Sequence, residues 1–162
     1  MMSKVLIISD THCEDLRMLP SKVIEEMDKV DAIIHVGDYT TMVLVDELKT
    51  RVRFYGVHGN MDDPKVKMSL PESLVLNLEG FKIGIIHPPE GGPPYNIKRR
   101  IRERFHEKVD AIIFGHTHKP EISSAYGILF MNPGALKGSF SHLKSYIVLD
   151  ISKRLEPHII RM

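Results

Sequence analysis

Seven side chains in this 162-residue sequence have types and spacings suited to holding metal ions: Asp10, His12, Asp38, Asn60, His87, His116 and His118. They fall in five short clusters, Ser9-Asp10-Thr11-His12, Gly37-Asp38, His58-Gly59-Asn60-Met61-Asp62, His87-Pro88-Pro89 and Gly115-His116-Thr117-His118. Each cluster ends an apolar run. Carboxylate, amide and imidazole donors in mixture suit Mn, Fe, Ni, Co or Zn and argue against an all-oxygen Mg or Ca cage. The set is large enough for two ions with one shared carboxylate. A His-x-His pair on a loop can aim its two rings at neighbouring ions, because neither strand nor helix geometry constrains it. One such piece carries little, since an isolated histidine is more often a surface or hydrogen-bonded core residue. Five in order, each after an apolar run, are a pattern.

Those runs are the elements that must position the ligands. Val5 to Ile8, Ala32 to Val36, Val52 to Val57, Phe81 to Ile86 and Val109 to Phe114 are short, β-branched-rich and read as buried strands. Helical spacing marks Leu16 to Lys29, Met42 to Leu48 and Tyr95 to Phe105. Strands alternating with helices imply a largely parallel core sheet with helices packed on it. Leu74 to Leu78 with Phe81 to Ile86, and Tyr146 to Ile151 with Glu156 to Ile160, read as antiparallel hairpins. Functional groups in an open α/β sheet gather past the carboxyl ends of its strands, where the five clusters fall. The Pro/Gly cluster from Pro88 to Pro94 reads as a loop, because core-type strands continue beyond it.

Bulk composition bounds the function. The length fits one domain, and the 43% apolar and 27% charged fractions are those of a globular chain. A net charge of +1 gives no overall field to attract nucleic acid or an acidic membrane. With Cys13 the only cysteine, no internal disulfide can form, and no apolar run is long enough for a signal peptide or a membrane span. A cytoplasmic location is expected.

In this order the clusters Asp10-Thr11-His12, Gly37-Asp38, Gly59-Asn60, His87 and Gly115-His116-Thr117-His118 resemble the calcineurin-like metallophosphoesterase superfamily. Within it the chain is similar, over nearly its full length, to the small bacterial and archaeal phosphodiesterase branch, which Asn132-Pro133-Gly134 also fits. The resemblance implies an α/β fold, a four-layer α/β/β/α sandwich in one domain over residues 1–162. It implies that Asp10, His12 and His118 hold a first ion, that Asn60, His87 and His116 hold a second, and that Asp38 bridges them. Asp38, Asn60 and His87 are the expected catalytic group. The implied function is a dinuclear metal-dependent phosphoesterase that hydrolyses phosphodiesters by attack of a shared water. Mn is the expected metal, with Ni, Fe, Co and Zn as alternatives. Two ions roughly 3.5–4 Å apart lower the pKa of such a water and clamp the phosphate oxygens. The expected partner is a small phosphoester, a nucleotide among the options; a homodimer follows from the branch, and nucleic acid is left open.

The chain departs from the family pattern at two points. Met61 stands where many members carry a histidine proposed to protonate the leaving group, and Asp62 is the residue that would orient that histidine. His58 is an alternative donor. Pro88-Pro89 follows His87 where related chains often have Gly-His. The remaining histidines have plainer readings: His35 as a structural core residue, and His106, His142 and His158 as surface or fold residues. Cys13 reads as a bystander. The basic stretch Lys98 to Arg104 reads as a solvated helix face, with contact to a phosphate-rich substrate as the sharper reading. Tyr39-Thr40-Thr41-Met42 lacks the phosphate-clamping arginine of the protein serine/threonine phosphatases. The alternative to an enzyme is a non-catalytic scaffold of the same fold, as in a retromer subunit, but a scaffold is free to lose ligands and this chain keeps every family position.

Overall fold

Hydrophobic residues in the strands alternate between two destinations, and that alternation fixes the architecture. The computed structural model describes residues 2–90, 93–138 and 142–162. Strand β1 (Ser3–Ile8) is followed by a 3-10 turn (Leu16–Met18), α1 (Ser21–Met27), β2 (Ala32–His35), α2 (Met42–Arg51), β3 (Arg53–Gly56) and α3 (Pro64–Ser69). Then come β4 (Ser73–Leu78), β5 (Phe81–Ile86), α4 (Ile97–Arg102), β6 (Ala111–Phe114), β7 (Glu121–Ala125), β8 (Ile128–Asn132), β9 (Ser145–Ile151) and β10 (Leu155–Arg161).

Two five-stranded sheets result, ordered β10-β9-β1-β2-β3 and β4-β5-β6-β8-β7. The two sheets of the sandwich implied by the family resemblance are therefore present, and the largely parallel core read from the strand pattern is divided between them. β1, β2 and β3 run parallel, as do β5, β6 and β8, while β4, β7, β9 and β10 pair antiparallel at the flanks. Hairpins make the β4–β5, β7–β8 and β9–β10 pairings and need no crossover helix, while β9 also lies antiparallel beside β1.

Val5 and Ile7 of β1, Ile34 of β2 and Ile147 of β9 meet Ile83, Ile85, Ile113 and Met131 of the other sheet in one buried layer. On the opposite face of the first sheet, Leu6, Ile8 and Ile33 pack on Val23, Leu44, Leu48 and Val66 from α1, α2 and α3. Ile112, Phe114 and Phe130 on the outer face of the second sheet pack on Ile101 of α4. The order of layers is α/β/β/α. A fully buried Leu or Ile contributes about 1.5–3 kcal/mol, so each of these layers alone outweighs any surface interaction.

Several element boundaries differ from the sequence reading. The helix expected over Leu16 to Lys29 is broken at Leu19, which is extended (ψ 150°). Pro20 is the cause: its ring excludes the residue before it from the helical region, and its fixed φ of −57° then starts α1. The helix expected over Tyr95 to Phe105 is confined to Ile97–Arg102, behind Asn96 in a left-handed conformation. α2 runs on to Arg51. Residues 91 and 92 of the expected loop from Pro88 to Pro94 lie outside the described residues. α3 and the β7–β8 hairpin are new. Asp63 caps α3, accepting from Val66 N at 3.1 Å, with Pro64 in the first turn. The hairpin turns at Tyr126-Gly127, both with positive φ, as tight hairpins require.

Candidate metal centre

All seven ligand candidates lie just beyond the carboxyl ends of β1, β2, β3, β5 and β6, so both sheets contribute. The chain turns sharply there. Asp10 (φ 51°), His12 (48°), Asp38 (61°), His116 (80°) and His118 (61°) all have left-handed backbone. For non-glycine residues each such conformation costs on the order of 1–3 kcal/mol and persists only where surrounding structure enforces it. The turns bring together groups up to 108 positions apart, such as His118 Nε2 and Asp10 Oδ1 at 3.1 Å. Two glycines make the close approach possible. A Cβ on Gly59 would stand 2.0 Å from Asp38 Oδ1, and one on Gly115 would stand 2.4 Å from Ser9 Oγ.

Two groups of donors converge. Ligand atoms of Asp10, His12 and His118 lie within 4.8 Å of one another, and so do those of Asp10, Asp38 and His87. Asp38 Oδ2 lies 3.4 Å from His87 Nε2 and 3.9 Å from His12 Nε2, between the two groups. Asn60 Oδ1 is 2.9 Å from His87 Nε2. The His116 ring stands edge-on to His87, centroids 5.5 Å apart.

The donor chemistry at His87 fits a cation. Its Nδ1–H donates to the Val36 carbonyl at 2.8 Å, which leaves Nε2 of the neutral ring without a proton. Around that bare nitrogen are Asn60 Oδ1 and Asp38 Oδ2, two more acceptors. With the ring neutral, three lone pairs converge there, an arrangement that a cation among them would satisfy. Asp10 and Asp38 are both buried, which adds to the demand.

Electrostatics in the ion-free protein follow from the same geometry. Burial raises the Asp10 pKa, but hydrogen bonds from His118 and Ser9 with the nearby His87 outweigh it and hold the carboxyl well below its usual range. Burial pushes Asp38 up against the pull of His87 and of the Met61 N–H, and the Asp10 charge adds to the rise. His118 is raised by its hydrogen bond to Asp10, whereas burial lowers His12.

Outside the ligand set, Asp62 is the residue whose role the sequence did not disclose. Its buried carboxylate orients no histidine. It accepts four backbone N–H groups, from Asp38 (2.9 Å), Tyr39 (2.7 Å), Thr40 (2.9 Å) and Gly59 (2.7 Å), and so staples the loop after β2 to the loop after β3. Met61 contributes its N–H to Asp38 Oδ1 at 2.9 Å while its side chain is 65% exposed. Asn132 supports the His-Thr-His loop by donating to Thr117 Oγ1 at 2.9 Å, and its own Oδ1 accepts from Gly134 N.

The plainer sequence readings also have structural counterparts. His35 is fully buried and stacks on Tyr39 with ring centroids 3.7 Å apart; its Nδ1 accepts from Gly37 N and its Nε2 donates to Thr11 Oγ1. Cys13 is buried, gives its S–H to the Thr11 carbonyl, and has its pKa raised by burial, which leaves it an inert thiol. His58 is half-buried with Nδ1 3.5 Å from the Gly59 carbonyl. Most of the basic stretch is consumed locally. Lys98 pairs with Glu121, Arg99 with Glu103 and Arg104 with Glu90; Arg100 donates to the Pro93 carbonyl, and Arg102 lies over the Tyr126 ring.

Two mixed sheets back to back, with carboxylate, amide and imidazole donors gathered at their carboxyl ends, define a metallo-dependent phosphatase type of architecture. The chain belongs to the calcineurin-like phosphoesterase superfamily, whose domain model matches residues 2–154. It is 38% identical over 158 residues to a "probable metallophosphoesterase" of Methanocaldococcus jannaschii, covering 95% of this chain and 79% of that one. A Thermotoga maritima protein solved by NMR matches at 39% identity and TM-score 0.78, with 99% of each chain covered. The fold is shared at lower identity by an archaeal phosphodiesterase (22%, TM-score 0.75, 98% of this chain and 99% of that one). Vacuolar protein sorting 29 of Cryptosporidium parvum shares it too (23%, TM-score 0.76, 99% and 98%). The family is one of metal-dependent phosphoester hydrolases, which agrees with the candidate ligands found here. No helix among the described residues is long and apolar enough to cross a membrane.

Proposed function

We propose that the chain is a dinuclear phosphodiesterase using divalent transition-metal ions, Mn foremost. Asp10, His12 and His118 hold one ion, Asn60, His87 and His116 the other, and Asp38 lies between them. The observation that carries this reading is the position of Asp38 Oδ2, within 3.4 Å of His87 and 3.9 Å of His12, one ligand from each side. When bound, such a pair of ions supplies a positive field that acidifies water and draws charge from the phosphoryl oxygens.

The chain's own residues set the rest. Val36 fixes the His87 ring so that Nε2 faces Asp38 and Asn60. Asp62 and the Met61 N–H hold Asp38 in place. Diesters are favoured over monoesters because a monoester brings an extra negative charge, and Tyr39-Thr40-Thr41 after Asp38 offers no cation to meet it. Met61 has no proton to give, so the departing oxygen leaves largely unassisted.

The test is a metal-by-substrate screen on metal-stripped protein, followed by a series of aryl and alkyl phosphodiesters with one metal. A positioned general acid contributes ~10²–10⁴-fold, most of it with poor leaving groups. A steep dependence of rate on leaving-group pKa is therefore expected. A shallow slope would show that another group, His58 first, already donates the proton; absence of diester turnover with every metal would end the proposal.

A further inference from the structure

Beyond His118 the chain passes through Lys119 and Pro120 into β7, and these two residues wall a cavity of about 340 Å³. His142, Leu143 and Arg161 line the remainder. Arg161 ends an edge strand of the first sheet, and Lys119 leads into an edge strand of the second, so the cavity spans the seam between the sheets. The segment before it is seated on the metal centre: Leu136 N donates to the Ser9 carbonyl and Lys137 N to the Asp10 carbonyl, each at 3.2 Å.

The charges here differ from those of the basic stretch. Among the described residues neither Lys119 nor Arg161 forms an ion pair, and His142 Nδ1 is buried without a hydrogen-bond partner. Glu121, the carboxylate nearest in sequence, is engaged by Lys98 at 2.6 Å and by Ser123 Oγ at 2.7 Å. Lys119 and Arg161 are both exposed and, among the described residues, held by no carboxylate, so both are free to reach an anion in the cavity. The volume lies within the ~300–1,000 Å³ of small-molecule sites, and Pro120 and Leu143 add apolar surface. A phosphate carried on a compact apolar body, as in a nucleotide, has this combination of charge and shape.

We propose that this cavity is a substrate subsite that takes a second phosphate, adjacent to the scissile ester at the metal centre. The inference rests on the phosphodiesterase reading above and deepens it. Metal-free protein is titrated with thymidine 3′,5′-bisphosphate by calorimetry and by amide chemical shifts. Binding is expected with shifts centred on Lys119, Leu143 and Arg161. The Lys119→Gln/Arg161→Gln double variant is expected to bind about 10-fold or more weakly, since charge-assisted contacts are being removed. Each single variant should lose affinity in the same direction, which keeps the test usable if the double variant folds poorly. Shifts confined to other parts of the chain, or an unchanged Kd, would overturn the subsite.

A kinetic arm separates the two readings. Metal-loaded protein is given a thymidine dinucleotide with and without a 5′-phosphate. The kcat/KM ratio should favour the phosphorylated form and fall toward one in the double variant. Cleavage of both with the same ratio in wild type and variant would remove the subsite and leave the diesterase. Cleavage of neither, with bisphosphate binding lost in the variant, would remove the diesterase and leave the anion site.

Discussion

At the residue scale the site depends on side chains that never touch an ion. Asp62 gathers four backbone N–H groups from two loops, and the isosteric Asp62→Asn variant would turn one acceptor oxygen into a donor facing those amides. Hydrogen bonds to a charged group contribute about 1.5–3 kcal/mol each, and orienting partners of metal ligands are worth about 10–100-fold in metal affinity. Asp62→Asn should therefore lower stability by several kcal/mol and weaken Mn binding together, measured by urea unfolding and calorimetry. Normal metal affinity in a folded variant would show that the staple does not position Asp38. His35 supplies a pH test. Burial holds its folded pKa at about 3, against 6.5 for the free side chain, despite the attraction of Asp10; the nearby His87 and His12 add to the lowering. A lowered histidine pKa means neutral His35 contributes its full stability above pH 6.5, and that contribution is lost as pH falls from 6.5 toward 3. In metal-free protein, His35→Gln should be less stable at pH 7 and lose up to ~1.4 kcal/mol per pH unit less than wild type across that window. Parallel stability-against-pH curves for the two proteins would contradict this assignment.

At the element scale, what the sequence disclosed was what hydrophobic pattern controls. The strands ending at Ile8, His35, Gly56, Ile86 and Phe114 were legible because buried strands are continuous apolar runs, and the ligand clusters were legible because they interrupt those runs. The β7–β8 hairpin was not, because Glu121 to Ala125 is a half-exposed edge strand with small polar residues and no apolar stripe. The split into two sheets came from the family resemblance and not from the hydrophobic pattern, because each inward-facing residue of β1 looks the same in sequence whether it meets a helix or another strand. Asp62 escaped for a related reason, since an acceptor for four amides has no sequence signature. The basic stretch around α4 shows the converse, a conspicuous sequence feature whose charges the structure spends locally. Changing Arg99, Arg100 and Arg102 to Gln should leave turnover of a small aryl diester unaltered, with stability reduced modestly, the exposed Arg99–Glu103 pair being worth about 0.2–1 kcal/mol. A salt-sensitive loss confined to polynucleotide substrates would instead mark α4 as a nucleic-acid contact.

At the scale of the whole molecule, the candidate metal ligands straddle the seam between the sheets. Asp10, His12, Asp38 and Asn60 follow strands of the first sheet, while His87, His116 and His118 follow strands of the second. The two sheets are otherwise joined through apolar packing, which resists separation but does not fix the loops at their ends. Ions held by ligands from both sides would oppose any motion that parts them. Anything that binds only the folded state stabilises it by mass action, ~2.7 kcal/mol at a hundredfold excess over Kd. Mn should thus raise the thermal midpoint of metal-stripped protein and slow amide exchange at the carboxyl ends of both sheets together, and a chelator should reverse both effects. Elemental analysis should find two ions per chain at saturation. Protection limited to one sheet, or at most one ion per chain, would break the model of a shared centre with Asp38 between its halves. Full stabilisation by two ions with no turnover of any phosphoester would have a different meaning: the same ligands would serve a scaffold, with metal binding used for rigidity and not for hydrolysis.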